Sequence, residues 1–293
     1  MRFQVRCSPE SHPSGARPIG DRPALLGHRS GSAPPAVVAP RIAQAFADHG
    51  RRAALMPYLM GGHPDPTASL AACEAAADAG ADLIELGVPF SDPLADGPVI
   101  HAAATEALAN GVTPSDVLRQ CEAIAERLPV ILMVYANVVL SVGLENYART
   151  AAAAGAAGLI VPDMPHDEAA ELRAACDAEG VALVPLVAPT TTTARLNAIG
   201  ADARGFVYTV SLTGTTGERE ALPPGLTDTV ERVRACTDLP VAVGFGISTA
   251  AHASSVADLA DGVIVGSRVV RAAAEGGSAA VGELVSELDA ALR

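Results

Sequence analysis

The sequence predicts an α/β fold of the TIM (β/α)8 barrel class, and three observations predict it. Eight short, continuously apolar runs recur along residues 41–293. Longer amphipathic segments separate them, and glycines stop several of those segments just before the next run begins.

The runs are residues 55–60, 83–87, 130–135, 158–161, 182–186, 205–210, 241–244 and 262–265. Unbroken apolar runs of this length suit strands buried on both faces, as in a parallel sheet. Between them, segments such as 67–79, 114–127, 167–178 and 225–235 repeat apolar residues three or four apart, which predicts helices packed by one face. Gly80, Gly155, Gly180 and Gly200 stand where helices commonly stop. A doubly wound open sheet shares the alternation but more often has five to seven strands, and the first turn here lacks the G-x-G-x-x-G pattern. A closed barrel as one domain over 41–293 is therefore expected. Residues 1–40, rich in Pro, Ser, Gly and Arg and without hydrophobic periodicity, read as a disordered leader or a mis-assigned start.

Composition narrows the function. A net charge of −13 opposes non-specific nucleic-acid binding. No apolar run reaches the roughly 18 residues of a membrane span. The five cysteines are odd in number, scattered and never in C-x-x-C spacing, which fits reduced thiols in cytoplasm. The histidines form no ligand pattern, so no protein-bound metal is expected. All 20 basic residues are arginine, which rules out Schiff-base chemistry on a lysine amine.

Two connections exceed simple turns: residues 88–113 after the second run and 211–224 after the sixth. Long connections at the C-terminal ends of barrel strands carry chemistry and lids. Glu85 lies inside an apolar strand, where lost hydration raises a carboxyl pKa towards the range useful for general acid/base work; a structural glutamate is the alternative. Asp92 and Asp96 follow in a proline-stiffened loop, and pattern alone does not separate a catalytic acid from a turn former. Gly244, Gly246, Gly266 and Ser267, at the ends of the seventh and eighth runs, suit a phosphate held by backbone N–H groups and a helix N-terminus. The segment 211–220 has the glycines of a mobile lid, or of a plain surface connection. Tyr135 and Tyr208 line the mouth or fill the core.

The stretch from Glu85 to Pro98, ELGVPFSDPLADGP, resembles the signature of tryptophan synthase α chains. PYLMGG at 57–62, VYAN at 134–137, GTTG at 214–217, GFGIS at 244–248 and Gly266-Ser267 continue the likeness in order, over roughly residues 40–293. The resemblance implies a lyase that cleaves indole-3-glycerol phosphate to indole and glyceraldehyde 3-phosphate by a retro-aldol step. Glu85 matches the catalytic glutamate and Asp96 the aspartate at the indole nitrogen. Thr216 matches the lid threonine, and Gly217, Gly246, Gly266 and Ser267 match the phosphate contacts. Tyr58, Met133, Tyr135, Ile160, Tyr208, Phe245 and Ile264 would line the substrate pocket. Thr215, where valine is frequent, and His101, where glutamine is common, depart from the pattern. The family also implies docking on a β chain in an αββα assembly, with Asp92 and the connections after the second and sixth runs facing it. Pyridoxal phosphate would belong to that β chain, since this chain has no lysine to hold it. A stand-alone lyase, a weakly catalytic regulatory subunit and another sugar-phosphate barrel are the competing readings.

Overall fold

The computed structural model describes residues 39–210, 225–244 and 246–293, all within the unit 37–293. The expected leader therefore lies outside the described residues except for Ala39, which is buried, and Pro40, which opens a helix.

Nine strands form one parallel sheet: β1 (Ala54–Met60), β2 (Ile84–Gly87), β3 (Val130–Met133), β4 (Ala156–Ile160), β5 (Ala182–Leu183), β6 (Leu186–Val187), β7 (Val207–Val210), β8 (Val241–Gly244) and β9 (Gly262–Val265). Their order is β5-β4-β3-β2-β1-β9-β8-β7-β6. The two outermost members, β5 and β6, are halves of the fifth predicted run, so the chain itself joins the ends of the order and closes the ring. The break falls at Val184-Pro185, because proline has no N–H to give to a ladder. Val184 N–H still donates to Leu159 O (2.9 Å), and Pro185 O accepts from Tyr208 N–H (3.0 Å).

Side chains alternate between two cores, as the period of a strand requires. Met56, Leu83, Ile131, Ile160, Phe206 and Ile264 point into the barrel. Leu55, Leu59, Ile84, Leu86, Leu132 and Val243 point out, onto the helices. Helix α1 (Pro40–Asp48) covers the N-terminal end of the barrel. Ile42 is fully buried, and the Phe46 ring lies 5.5 Å from that of Phe206. Glycines at or just before the strand starts make room for this stopper: a β-carbon on Gly205 would stand 3.1 Å from Ile42, and one on Gly262 would stand 2.9 Å from Phe46.

The outer layer comprises α2 (Pro66–Asp78), α3 (Pro98–Ala109), α4 (Pro114–Ala125), α5 (Ala136–Val142), α6 (Leu144–Ala153), α7 (Ala170–Ala178), α8 (Thr193–Asp202), α9 (Leu226–Arg234), α10 (Ala250–Ala257) and α11 (Ser267–Ala291). Their starts follow local chemistry. Asp65 caps α2 through the N–H groups of Thr67 and Ala68, and Thr113 and Asp116 form a reciprocal capping box on α4. Gly80, Gly155 and Gly180 follow helices with positive φ, as expected. Gly200 does not: it lies inside α8, where a β-carbon would sit 2.1 Å from the Cys236 carbonyl oxygen, so close approach of two backbones explains the glycine. The connection 88–113 is also not all loop, since α3 occupies its second half behind the Gly97-Pro98 start.

Beneath the barrel, Arg51 bridges Asp82 and Asp289, all three largely buried. Arg51 also donates to Gly80 O (3.0 Å), and Asp82 accepts from Leu55 N–H (2.7 Å). This triad ties the starts of β1 and β2 to the end of α11. It lies opposite the C-terminal face where barrels place chemistry, on the end associated with stability.

Candidate active site

Glu85 is the second residue of β2, paired in register with Tyr58 on β1 and Ile131 on β3. Inward alternation leaves it 1% exposed, with Oε1 lacking a hydrogen-bond partner among the described residues. Burial first, then the neighbouring Asp96, pushes its carboxyl up to about 8. It is therefore a protonated acid at neutral pH.

Asp96 reaches the same space from the loop after β2. Val88 N–H donates to Met133 O (2.8 Å) at the loop's start, and Gly97 caps α3 at its end. Between these anchors the loop is fastened to Tyr135, whose hydroxyl accepts from Ala95 N–H (3.1 Å) and donates to the Asp96 carboxylate. Phe90 stacks on the Tyr135 ring at 5.1 Å, which fixes the phenol. Burial raises Asp96 to about 6, against the opposing pull of the Tyr135 hydrogen bond and of His101. Asp96 thus remains ionised at neutral pH beside a protonated Glu85. Burial and position thus push the two carboxyls into different protonation states.

Two further phenols face these acids. Tyr58 and Tyr208 are both buried, and both have pKa values raised well above the ordinary by burial and by the charges of Asp96 and Glu85. The structure therefore brings together Tyr58, Glu85, Asp96, Tyr135 and Tyr208. Ile160, Ile264 and Tyr208 belong to the barrel core, with Met133 packed against it.

Gly246 follows β8 with φ +79°, in the left-handed region that favours glycine. Gly266 precedes α11, and Ser267 is the helix's first residue, 7% exposed. The N-terminal end of α11 thus opens at the mouth and favours an anion there. Thr216, Gly217 and Phe245, along with Thr215 and the expected lid, lie outside the described residues.

Sequence reasoning missed the support under this face. Ser69 Oγ and Gln120 Oε1 both accept from Gly62 N–H at 3.1 Å, and Ser69 Oγ donates to Met60 O (3.1 Å). This buried network holds the turn after β1. The glycines were visible in the sequence, but Gln120 arrives from α4, and nothing local announces it. Asp92 is exposed and accepts from Ser91 Oγ (2.6 Å). Among the described residues no three His, Cys, Asp or Glu side chains gather as a metal site.

Comparison with known proteins identifies the family. Residues 45–290 match the family model described as tryptophan synthase alpha chain. The chain is 47% identical over 234 residues to the tryptophan synthase alpha chain of Carboxydothermus hydrogenoformans, covering 78% of this chain and 88% of that one. It is 50% identical over 235 residues to that of Roseiflexus castenholzii, covering 78% and 90%. A solved structure of Mycobacterium tuberculosis tryptophan synthase superposes with a TM-score of 0.81 at 43% identity, covering 86% of this chain and 98% of that one. With a closed barrel, two inward acids on and after its second strand, and a family match spanning most of its length, the chain belongs to the tryptophan synthase alpha chain family.

Proposed function

We propose that this chain cleaves indole-3-glycerol phosphate to indole and glyceraldehyde 3-phosphate, as the α reaction of tryptophan biosynthesis. One observation carries the reading: a buried, protonated Glu85 with an unpartnered oxygen faces the space shared with an ionised Asp96.

The chemistry follows from those protonation states. Glu85 donates its proton to indole C3, which places positive charge on the ring nitrogen. Asp96 accepts the ring N–H hydrogen bond and stabilises that charge. The Glu85 carboxylate then takes the proton from the hydroxyl on the carbon attached to C3. The bond between that carbon and C3 breaks, its electrons restore the aromatic ring, and the hydroxyl carbon leaves as an aldehyde. Glu85 ends protonated, so no proton is gained or lost overall. Met133, Ile160, Tyr208, Phe245, Ile264 and the rings of Tyr58 and Tyr135 enclose the indole. Gly217, Gly246, Gly266 and Ser267 would hold the phosphate, and Thr216 matches the family's lid threonine.

The partner is a tryptophan synthase β chain in an αββα assembly, which carries the pyridoxal phosphate. Support comes from Leu94, Leu140 and Val142, the exposed large hydrophobic residues among the described ones. Leu94 lies in the loop after β2, near Asp92, and the other two lie on α5 after β3, at the face where the site opens. The compartment is cytoplasm, a reading supported by the free thiols of Cys73, Cys121, Cys176 and Cys236.

The deciding experiment is indole release from indole-3-glycerol phosphate by the purified chain, alone and with excess β chain. Slow release that the β chain accelerates is expected. Fast release without a partner identifies a free-standing lyase instead, and no release in either case overturns the reaction.

A further inference from the structure

Tyr58 spans the site from one functional end to the other. Its Cβ lies 3.8 Å from where a β-carbon on Gly266 would stand, beside the phosphate helix. Its hydroxyl lies 2.1 Å from the corresponding point on Gly87, two residues beyond Glu85 on β2. A side chain on Gly87 would therefore evict the phenol; the glycine is what lets the hydroxyl reach this position.

The ring is also clamped. Ile100, Ala103 and Ala104 of α3 and Val270 of α11 bury it together with Met60, and the residue is 4% exposed. The helices that carry the Asp96 loop and the phosphate end thus grip one aromatic ring between them. The titratable groups whose charge reaches the hydroxyl are Asp96, Glu85, Tyr135 and Tyr208, all at the acid end.

Under the proposed reaction, which this inference rests on, the substrate has the same polarity along its length. Its phosphate sits at the α11 end, its indole faces Asp96, and a three-carbon chain with two hydroxyl groups lies between. The phenol lies along that interval, with its one polar atom towards the acids. Its ring would serve any apolar neighbour, whereas its O–H can also donate to an acceptor that passes there.

We infer that the Tyr58 hydroxyl donates a hydrogen bond to a hydroxyl oxygen of the substrate's three-carbon chain, making Tyr58 a specificity residue for the polyol segment in addition to a wall for indole. It distinguishes a hydroxylated chain from a plain alkyl one, and the loss of a single such bond is worth about a tenfold change.

Tyr58→Phe keeps the clamped ring and removes the donor. The test compares wild type and Tyr58→Phe, each saturated with β chain. Two ligands are used: indole-3-glycerol phosphate, and 3-(indol-3-yl)propyl phosphate, which lacks both chain hydroxyls. The expected result is a fall in kcat/KM of about tenfold or more for the substrate, with the analogue's Kd within about twofold of wild type. Equal losses for both ligands would show that the ring's packing was disturbed, and unchanged kcat/KM would show that no bond is made; either overturns the inference alone. If wild type binds the analogue yet releases no indole from indole-3-glycerol phosphate, the reaction itself is wrong and the inference falls with it.

Discussion

The hydroxyl of Tyr208 on β7 lies 2.3 Å from the point where a β-carbon on Gly244 would stand, at the end of the adjacent β8. The relation repeats elsewhere in the barrel. Tyr208 is in register with Ala242 and leans over Gly244, while Tyr58 is in register with Glu85 and leans over Gly87. In both cases a phenol crosses diagonally to a glycine two residues further along the neighbouring strand. The missing side chains shape the pocket as much as the tyrosines do.

Gly244→Ala and Gly87→Ala therefore overpack the mouth. Each should cost about 1–3 kcal/mol in urea unfolding and most of the cleavage activity, because the phenol must leave its position. Wild-type stability and turnover in both variants would show that the tyrosines move aside freely.

Acid and base roles set a bell-shaped profile for kcat/KM. Activity needs Asp96 ionised, so it rises as pH climbs through about 6, and it needs Glu85 protonated, so it falls through about 8. Tyr135→Phe removes a hydrogen bond that favours the Asp96 carboxylate. Its acid limb should move to higher pH while the alkaline limb stays in place, as read from initial rates between pH 5 and 9. A shift of the alkaline limb alone would detach Tyr135 from Asp96.

Glu85→Gln should abolish cleavage and leave substrate binding within a few-fold. It should also stabilise the fold in a pH-dependent way. The Glu85 carboxyl titrates near 8 when folded and near the ordinary 4.5 when unfolded. Between those values the folded state holds a proton that the unfolded chain has released, so wild-type stability declines as pH rises through this window. Glutamine has no proton to lose. The variant's advantage should be absent below pH 4.5 and grow by up to about 1.4 kcal/mol per pH unit towards pH 8. Paired thermal melts at pH 5 and pH 8 with equal differences would contradict the buried acid.

Arg51→Ala leaves Asp82 buried without its cation beneath the barrel, and leaves Asp289 with Arg293 alone. Removing one member of a buried ion pair costs about 3–5 kcal/mol, and this one is remote from the acids at the mouth. The expected variant unfolds at lower urea with kcat unchanged at low temperature. Loss of kcat in fully folded protein would tie the two ends of the barrel together.

All eight apolar runs became strands, because burial on both faces leaves a local mark in sequence. The fifth run broke in two at Pro185, a residue visible in the sequence whose consequence depended on which strands lay beside it. Gly200 shows the limit more sharply. Its position after an amphipathic segment matched a helix stop, but its reason is the Cys236 carbonyl, a neighbour only in three dimensions. Helix α3 had its start written in Gly97-Pro98, hidden by the length of the connection around it. At the site, burial of Glu85 followed from its apolar strand. The separation of Asp96 from Asp92 did not, because it rests on the Tyr135 hydroxyl arriving from the end of β3. The Arg51 triad and the Gln120–Ser69 network were invisible for the same reason, each joining segments far apart in the chain.

Helix α1 gives the barrel a floor, with Ile42 and Phe46 seated in spaces left by glycines at or just before the strand starts. Among the described residues the N-terminal end is thus closed, and traffic to the site is two-way at the mouth on the opposite face. Whatever caps that mouth governs supply and escape together. A partner seated on the apolar rim at Leu94 and Leu140 would take delivery of a small apolar product directly, so that it need never dissolve in bulk water or compete with incoming substrate for a separate exit.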